Sequence, residues 1–116
     1  MIDKFRLIEL RSTVERLNAA ADGVRLLIAE AEKDLSGVAV EAWVSIPGGS
    51  LGYRAFSKGW FLAFEPEDGN TVRLTDAPRV VRIEALVRIN DLVGAINQRV
   101  RELIAVAAKA VEKGHP

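Results

Sequence analysis

Two long segments with apolar residues at alternating steps of three and four enclose a shorter segment rich in glycine and aromatic residues. In the first segment the pattern holds over four heptads, which places one apolar stripe along a helix of 3.6 residues per turn. Charged residues lie between the apolar positions. We therefore predict one long, coiled-coil-like helix. Its stripe comprises Leu7, Leu10, Val14, Leu17, Ala21, Val24, Ile28, Ala31 and Leu35.

Gly23 is the point at which this helix could break. A glycine inside a helix costs about 1 kcal/mol relative to alanine, and Asp22-Gly23 is a dipeptide typical of turns. The heptad phase nevertheless continues through Gly23 without slipping, whereas a turn usually resets it. We predict a continuous helix that ends at Ser36-Gly37, where glycine suits the left-handed position after the last turn.

The middle segment predicts an antiparallel meander of three or four strands. Apolar and polar residues alternate from Val38 to Ile46, the period of a half-buried strand. Glycine-containing turns separate it from the later segments, and connections this short favour antiparallel neighbours. The expected strands are Val38–Ile46, Leu51–Ser57, Trp60–Glu65 and Thr71–Leu74.

The last segment predicts a second helical region. Thr75-Asp76-Ala77-Pro78 resembles a helix start, with Thr or Asp available as a cap and Pro tolerated in the first turn. Asn90-Asp91 offers a second cap, so the region forms either one helix or a short helix at 78–88 and a long one from 91. The stripe comprises Leu86, Ile89, Val93, Ile96, Val100, Leu103, Ala107 and Ala110, and Gly114-His115-Pro116 ends it.

These elements predict a single α+β domain over residues 1–116, with the helices packed on one face of the sheet. Hydrophobic residues make up 49% of the 116 residues and charged residues 28%, a globular composition that can bury one core. No window approaches the roughly 20 apolar residues that a membrane span needs, and the first residues do not resemble a signal peptide. We expect a cytoplasmic protein.

The sequence offers little material for catalysis. Sixteen basic residues balance sixteen acidic ones, and cysteine is absent. The only histidine, His115, is the penultimate residue, where chains usually fray. The glycine-rich run at 47–52 has no following Lys-Ser/Thr or helix start, so it matches no phosphate-binding fingerprint. We expect no catalytic residues, no metal, no cofactor and no enzyme.

The stripes favour a non-enzymatic module that self-associates, most simply as a two-fold homodimer, and acts as a scaffold, adaptor or regulator. A helix of about 50 Å would project past a domain of roughly 35 Å and expose its stripe. The expected interface residues are Leu7, Leu10, Val14, Leu17, Val24, Ile28, Ile96, Val100 and Leu103.

Two alternatives remain open. A small ligand would bind an aromatic sheet face formed by Trp43, Tyr53, Phe56 and Trp60, although aromatic residues in a small sheet more often fill the core. A nucleic acid or another anion would bind the arginines between Arg79 and Arg101, first of all Arg79 and Arg82. Against this, the balanced net charge disfavours nucleic acid. Arg79 and Arg82 are explained more simply if they pair with acids such as Asp76 and Glu84 or hold the sheet edge.

Overall fold

A computed structural model describes residues 1–114 and confirms the α+β fold; His115 lies outside the described residues. A long helix precedes four strands, and two helices follow them. The elements are α1 (Lys4–Asp34), β1 (Ala42–Ile46), β2 (Gly49–Phe56), β3 (Gly59–Pro66), β4 (Val72–Arg73), α2 (Arg79–Val87) and α3 (Ile89–Lys113), with a 3-10 turn at Leu74–Asp76 before α2.

Helix α1 is continuous through Gly23, as predicted from the unbroken heptad phase. It begins after Asp3, whose side chain accepts hydrogen bonds from the backbone N–H groups of Phe5 and Arg6 and so caps the first turn. It ends at Asp34. Gly37 follows with φ of +86°, the left-handed conformation that glycine adopts most readily.

The strands form one antiparallel sheet in the order β1-β2-β3-β4. The predicted first strand is too long at its start: residues 38–41 precede β1 and pair with no strand. In the observed register, Ala42 faces Tyr53, which in turn faces Leu62. Since side chains alternate between the two faces, these three residues share one face, and all three are buried.

The core lies between that face of the sheet and the three helices. It combines the second half of α1, the first half of α3 and one face of the strands. The buried cluster comprises Ile28, Ala42, Ile46, Leu51, Tyr53, Leu62, Phe64, Leu74, Ala77, Ala85, Leu92 and Ile96. One face of the sheet therefore carries the helices, as the alternation in the Val38–Ile46 segment predicted.

The carboxy-terminal region is divided, but at Arg88 rather than at Asn90-Asp91. Helix α2 ends at Val87 and α3 begins at Ile89, with Arg88 as the single residue between them. Asn90 and Asp91 therefore lie in the first turn of α3. The predicted cap of α2 is also wrong: Pro78 occupies the N-cap, and no side chain accepts a hydrogen bond there. Thr75 and Asp76 are instead part of the 3-10 turn.

The molecule is a rod because α1 and α3 extend beyond the sheet in opposite directions. Its principal extents are 81 × 27 × 25 Å. Helix α1 is about 46 Å long and α3 about 37 Å at 1.5 Å per residue. An extent of 81 Å exceeds either helix, so the two must project from opposite ends. The projecting parts, residues 4–20 of α1 and 101–113 of α3, contain no buried residue.

Candidate functional site

The predicted interface residues divide between the core and the projecting helices. Ile28 and Ile96 have 0% and 4% of their surface exposed and belong to the chain's own core. Val24 and Val100 are half-buried against that core. Ile28 and Ile96 are therefore not available to a partner, whereas Val24 and Val100 keep part of their surface exposed. The other predicted residues lie on the projecting helices: Leu7, which is half-buried, and Leu10, Val14, Leu17 and Leu103, which are exposed.

The exposed apolar surface of the projecting helices is wider than the predicted stripe. On α1 it also includes Phe5 and Ile8, which lie outside the heptad positions. On α3, Ile104, Val106 and Val111 are exposed beside Leu103. Large exposed apolar patches on soluble proteins often mark interaction surfaces. These two helix segments are the first candidate site.

The predicted aromatic face is divided by the strand register. Trp43 faces Gly52 and Phe56 faces Gly59, on the face of the sheet away from the helices. Tyr53 and Trp60 are on the helix-covered face, where their ring centroids are 5.5 Å apart. The four aromatic residues therefore do not form one platform. A one-residue change in register exchanges the faces of a strand, which is why the pattern alone did not separate them.

Tyr53 and Trp60 instead line a cavity of about 460 Å³ between the end of α1 and the free edge of β3. Phe61 completes its aromatic wall, and Ala29, Val38 and Ala39 add apolar surface. The Tyr53 hydroxyl donates a hydrogen bond of 3.0 Å to the Leu35 carbonyl, which fixes the ring. Glu32, Lys33 and Ser36 are its polar lining residues. A mainly apolar cavity of this size is typical of small-molecule sites.

Glu32 is the polar centre of this cavity, and the sequence analysis missed it. Its side chain is only 12% exposed and accepts a 2.8 Å hydrogen bond from the Leu62 N–H. The Arg73 guanidinium lies 3.5 Å from the carboxylate and 3.7 Å from the centroid of the Phe61 ring. Burial raises the pKa of Glu32, while the Leu62 N–H and Arg73 oppose that rise. One signal was visible in the sequence: Glu32 is four residues after Ile28 and three before Leu35, beside the apolar stripe.

The predicted anion contacts lie together at the start of α2. The Arg82 side chain is 8% exposed and donates a hydrogen bond to the Ala77 carbonyl. Arg79 is half-buried and donates to the Asn18 side chain of α1. The expected pairing with Asp76 and Glu84 is wrong. The ion pairs of residues 1–114 are Arg73–Glu32, Arg88–Asp91 and Arg99–Glu102.

Two further observations concern the described part of the chain. It contains no group of three or more His, Asp or Glu residues placed to hold a metal ion. None of its helices is both long enough and apolar enough to cross a membrane. A comparison of the chain with models of known protein families, with characterised proteins and with solved structures finds no match. The candidate sites therefore rest on their geometry alone.

Proposed function

We propose that this protein is a self-associating interaction module that forms a two-fold homodimer through the projecting parts of α1 and α3. As a dimer it would serve as a scaffold, adaptor or regulator. The observation that carries the proposal is the exposed apolar surface of these segments, where six side chains keep more than half of their surface exposed: Phe5, Ile8, Leu10, Ile104, Val106 and Val111. Leu10, for example, is 56% exposed in the middle of an otherwise regular stripe.

The size of the exposed surface supports a macromolecular partner. The chain exposes 8426 Å², whereas a compact monomer of its mass of 12.7 kDa exposes about 6,200 Å². The excess is roughly 2,200 Å², and a stable interface buries about 800 Å² from each partner. The radius of gyration also shows an extended molecule: it is 19.3 Å, against about 13 Å for a compact domain of this length.

A second copy of the chain suits this surface because the two projections have similar lengths. Residues 4–20 extend about 25 Å and residues 101–113 about 20 Å. One two-fold axis across the rod places α1 of each copy beside α3 of its partner, so both ends are covered in a closed dimer. Pairing α1 with α1 alone would leave α3 uncovered and would favour open chains of copies.

Light scattering coupled to size exclusion tests the proposal. We expect twice the chain mass of 12.7 kDa for the wild type. The double variant Leu10→Asp/Val14→Asp should give the monomer mass with an unchanged circular dichroism spectrum, because neither side chain belongs to the buried core. Ser12→Asp is the matched control, since it adds a charge to the other side of α1. A wild-type mass near 12.7 kDa would refute the dimer.

The arrangement of the dimer can be tested by cysteine cross-linking, because the chain contains no cysteine. Mixed Leu10→Cys and Ala107→Cys chains should form a disulfide between the two variants. Leu10→Cys alone should remain uncrosslinked. A disulfide in Leu10→Cys alone, with none between the two variants, would place α1 against α1. That result would contradict the pairing of α1 with α3 of the partner.

A second function is favoured by the cavity between α1 and β3. We propose that it binds a small, mainly apolar molecule with a hydrogen-bond donor, because aromatic rings form the wall and the Glu32 carboxylate supplies an acceptor beside them. Titration of cyclohexylmethanol should change Trp60 emission in a Trp43→Phe background, which leaves Trp60 as the only indole. Ala29→Leu should abolish the change by filling the cavity. An equal response in that variant would exclude this site.

A further inference from the structure

The start of α2 has an unusual electrostatic environment. A helix N-terminus carries a partial positive charge and free N–H groups, and an acidic or hydroxyl side chain usually compensates them. Here Pro78 is the N-cap, no side chain accepts a hydrogen bond, and the first turn contains no acid. Two arginines, Arg79 and Arg82, lie in or next to that turn instead. The arrangement is the reverse of the one that stabilises a helix.

Arg82 is a buried cation that forms no ion pair within residues 1–114. Its side chain runs back along α2 to the Ala77 carbonyl, which Nη1 reaches at 2.5 Å. Nε is buried and has no hydrogen-bond partner within residues 1–114. Nη2 also has no hydrogen-bond partner within residues 1–114. It is not among the fully buried atoms, so it retains access to solvent. No carboxylate of the described residues lies within 4.0 Å of this guanidinium. A buried, unpaired charge is costly, and a bound anion would remove that cost.

Neighbouring residues increase the positive charge at this point. Arg25 of α1 and Arg79 both lower the pKa of Arg82, after burial, which is the largest cause; Asp22 acts in the opposite direction. The charges of Arg25 and Arg79 therefore add to that of Arg82 beside the helix N-terminus, and the charge of Asp22 opposes them. Among residues 1–114, Arg79 finds a neutral partner, the Asn18 amide, and no acidic one.

We propose that the start of α2, with Arg25, Arg79 and Arg82, is a binding site for a phosphate dianion, either free or as a phosphate monoester. Two negative charges match the charge excess better than one carboxylate does. The phosphate oxygens accept bidentate hydrogen bonds from guanidinium groups, and backbone N–H groups at a helix N-terminus complete such sites. None of the three arginines lines the cavity beside Glu32, while Arg79 contacts Asn18 within the projecting part of α1.

Amide NMR titration with inorganic phosphate at constant ionic strength tests the site. We expect saturable shifts of the Val80 and Val81 amides in the first turn of α2. Arg79→Gln and Arg25→Gln should each weaken binding about tenfold, the loss that corresponds to one charge-assisted hydrogen bond. Arg101→Gln is the matched control, because it removes the same charge from the exposed end of α3.

Three results would overturn the proposal. They are an absence of saturable shifts, equal shifts with chloride at the same ionic strength, and equal weakening by Arg101→Gln. Arg82→Gln adds a separate measurement, since it should abolish the phosphate-dependent rise in melting temperature that we expect for the wild type. If Arg82→Gln does not fold, the exposed Arg25 variant decides the question. A parallel titration with glycerol phosphate identifies the source: tighter binding than inorganic phosphate assigns a monoester, and equal binding assigns free phosphate.

Discussion

The carboxylate of Glu32 in α1 accepts a 2.8 Å hydrogen bond from the backbone N–H of Leu62 in β3. The short strand β4 pairs only with Ala63 and Phe64, so Leu62 is the first residue of β3 on that edge without a neighbouring strand. An open strand edge is a template for unwanted pairing with another chain. The long helix thus protects the sheet edge with a single side chain, and Arg73 balances the charge that this requires.

This relationship predicts a pH dependence of stability that Glu32→Gln removes. Burial raises the pKa of Glu32 above the ordinary value of 4.5, so the folded chain binds this proton more tightly than the unfolded chain. Its contribution to stability is complete below pH 4.5 and is lost as the pH rises through the folded pKa. The difference in unfolding free energy between wild type and Glu32→Gln should therefore fall with increasing pH.

Urea melts of both proteins at several pH values between 4 and 7 measure that difference. Glutamine retains a carbonyl oxygen that can accept the Leu62 N–H, so the variant should still fold. Glu30→Gln is the control for loss of one carboxylate, because Glu30 is exposed on the same helix. A difference that stays constant over this range, or that rises with pH, would show that Glu32 is not desolvated in this way.

Tyr53 predicts a second titration, which can be followed directly because it is the only tyrosine. Burial and then the charge of Glu32 raise its pKa above 10.0. The absorbance of the phenolate should therefore appear above pH 10 in the folded protein and near pH 10 in denaturant. The stability that the protonated Tyr53 contributes is present below pH 10 and is lost as the pH rises through the pKa of Tyr53 in the folded protein. Glu32→Gln should lower the folded midpoint, and an unchanged midpoint would contradict the coupling.

On the outer face of the sheet, we expect substitutions of Trp43 and Gly52 to have non-additive effects on the free energy of unfolding. A Cβ at Gly52 would lie 2.2 Å from the Trp43 ring, so Gly52→Ala should cost about 1–3 kcal/mol through overpacking. Trp43 is half-buried, so Trp43→Ala should cost about 1–3 kcal/mol, less than the 3–5 of a fully buried ring. In the Trp43→Ala background, Gly52→Ala should be almost neutral.

A double-mutant cycle from denaturant melts measures this coupling. Gly49→Ala is the matched control, because its Cβ would lie 2.1 Å from the backbone carbonyl oxygen of Glu65 and not near the Trp43 ring. Its cost should be the same with and without Trp43. Equal costs of Gly52→Ala in both backgrounds would show that the ring does not cover the glycine.

The helices and the strand order could be predicted because they depend on local periodicity. The heptad phase through Gly23 was sufficient to predict α1, and the short glycine turns were sufficient for the meander. The start of β1 could not be predicted, because residues 38–41 keep the alternation of a strand but have no pairing partner. Periodicity describes which side chains can be buried, and pairing depends on distant residues.

The candidate sites depend on such distant contacts, so local periodicity predicts them less well. Which stripe residues are core and which project depends on where the sheet lies along α1; Ile28 and Leu10 belong to the same heptad pattern but to different environments. The aromatic residues were identified, but their faces follow from the register. Glu32 was overlooked because its partner Leu62 is 30 residues away and contributes only a backbone N–H.

The two helix-interior glycines predict a gain in stability. An added Cβ at Gly23 in α1 or at Gly94 in α3 would meet no atom within 4 Å, and neither residue has a positive φ. Alanine avoids the entropic cost of glycine in a helix, so each Gly→Ala change should stabilise the protein by about 0.5–1 kcal/mol. The two gains should add, because the residues lie on separate helices. Thermal melts measure both, with Gly37→Ala as the control that should destabilise because φ there is +86°. Gly23→Ala should also leave the oligomer mass unchanged; a loss of stability at Gly23 alone would mean that α1 bends there and that its stripe does not project as one straight surface.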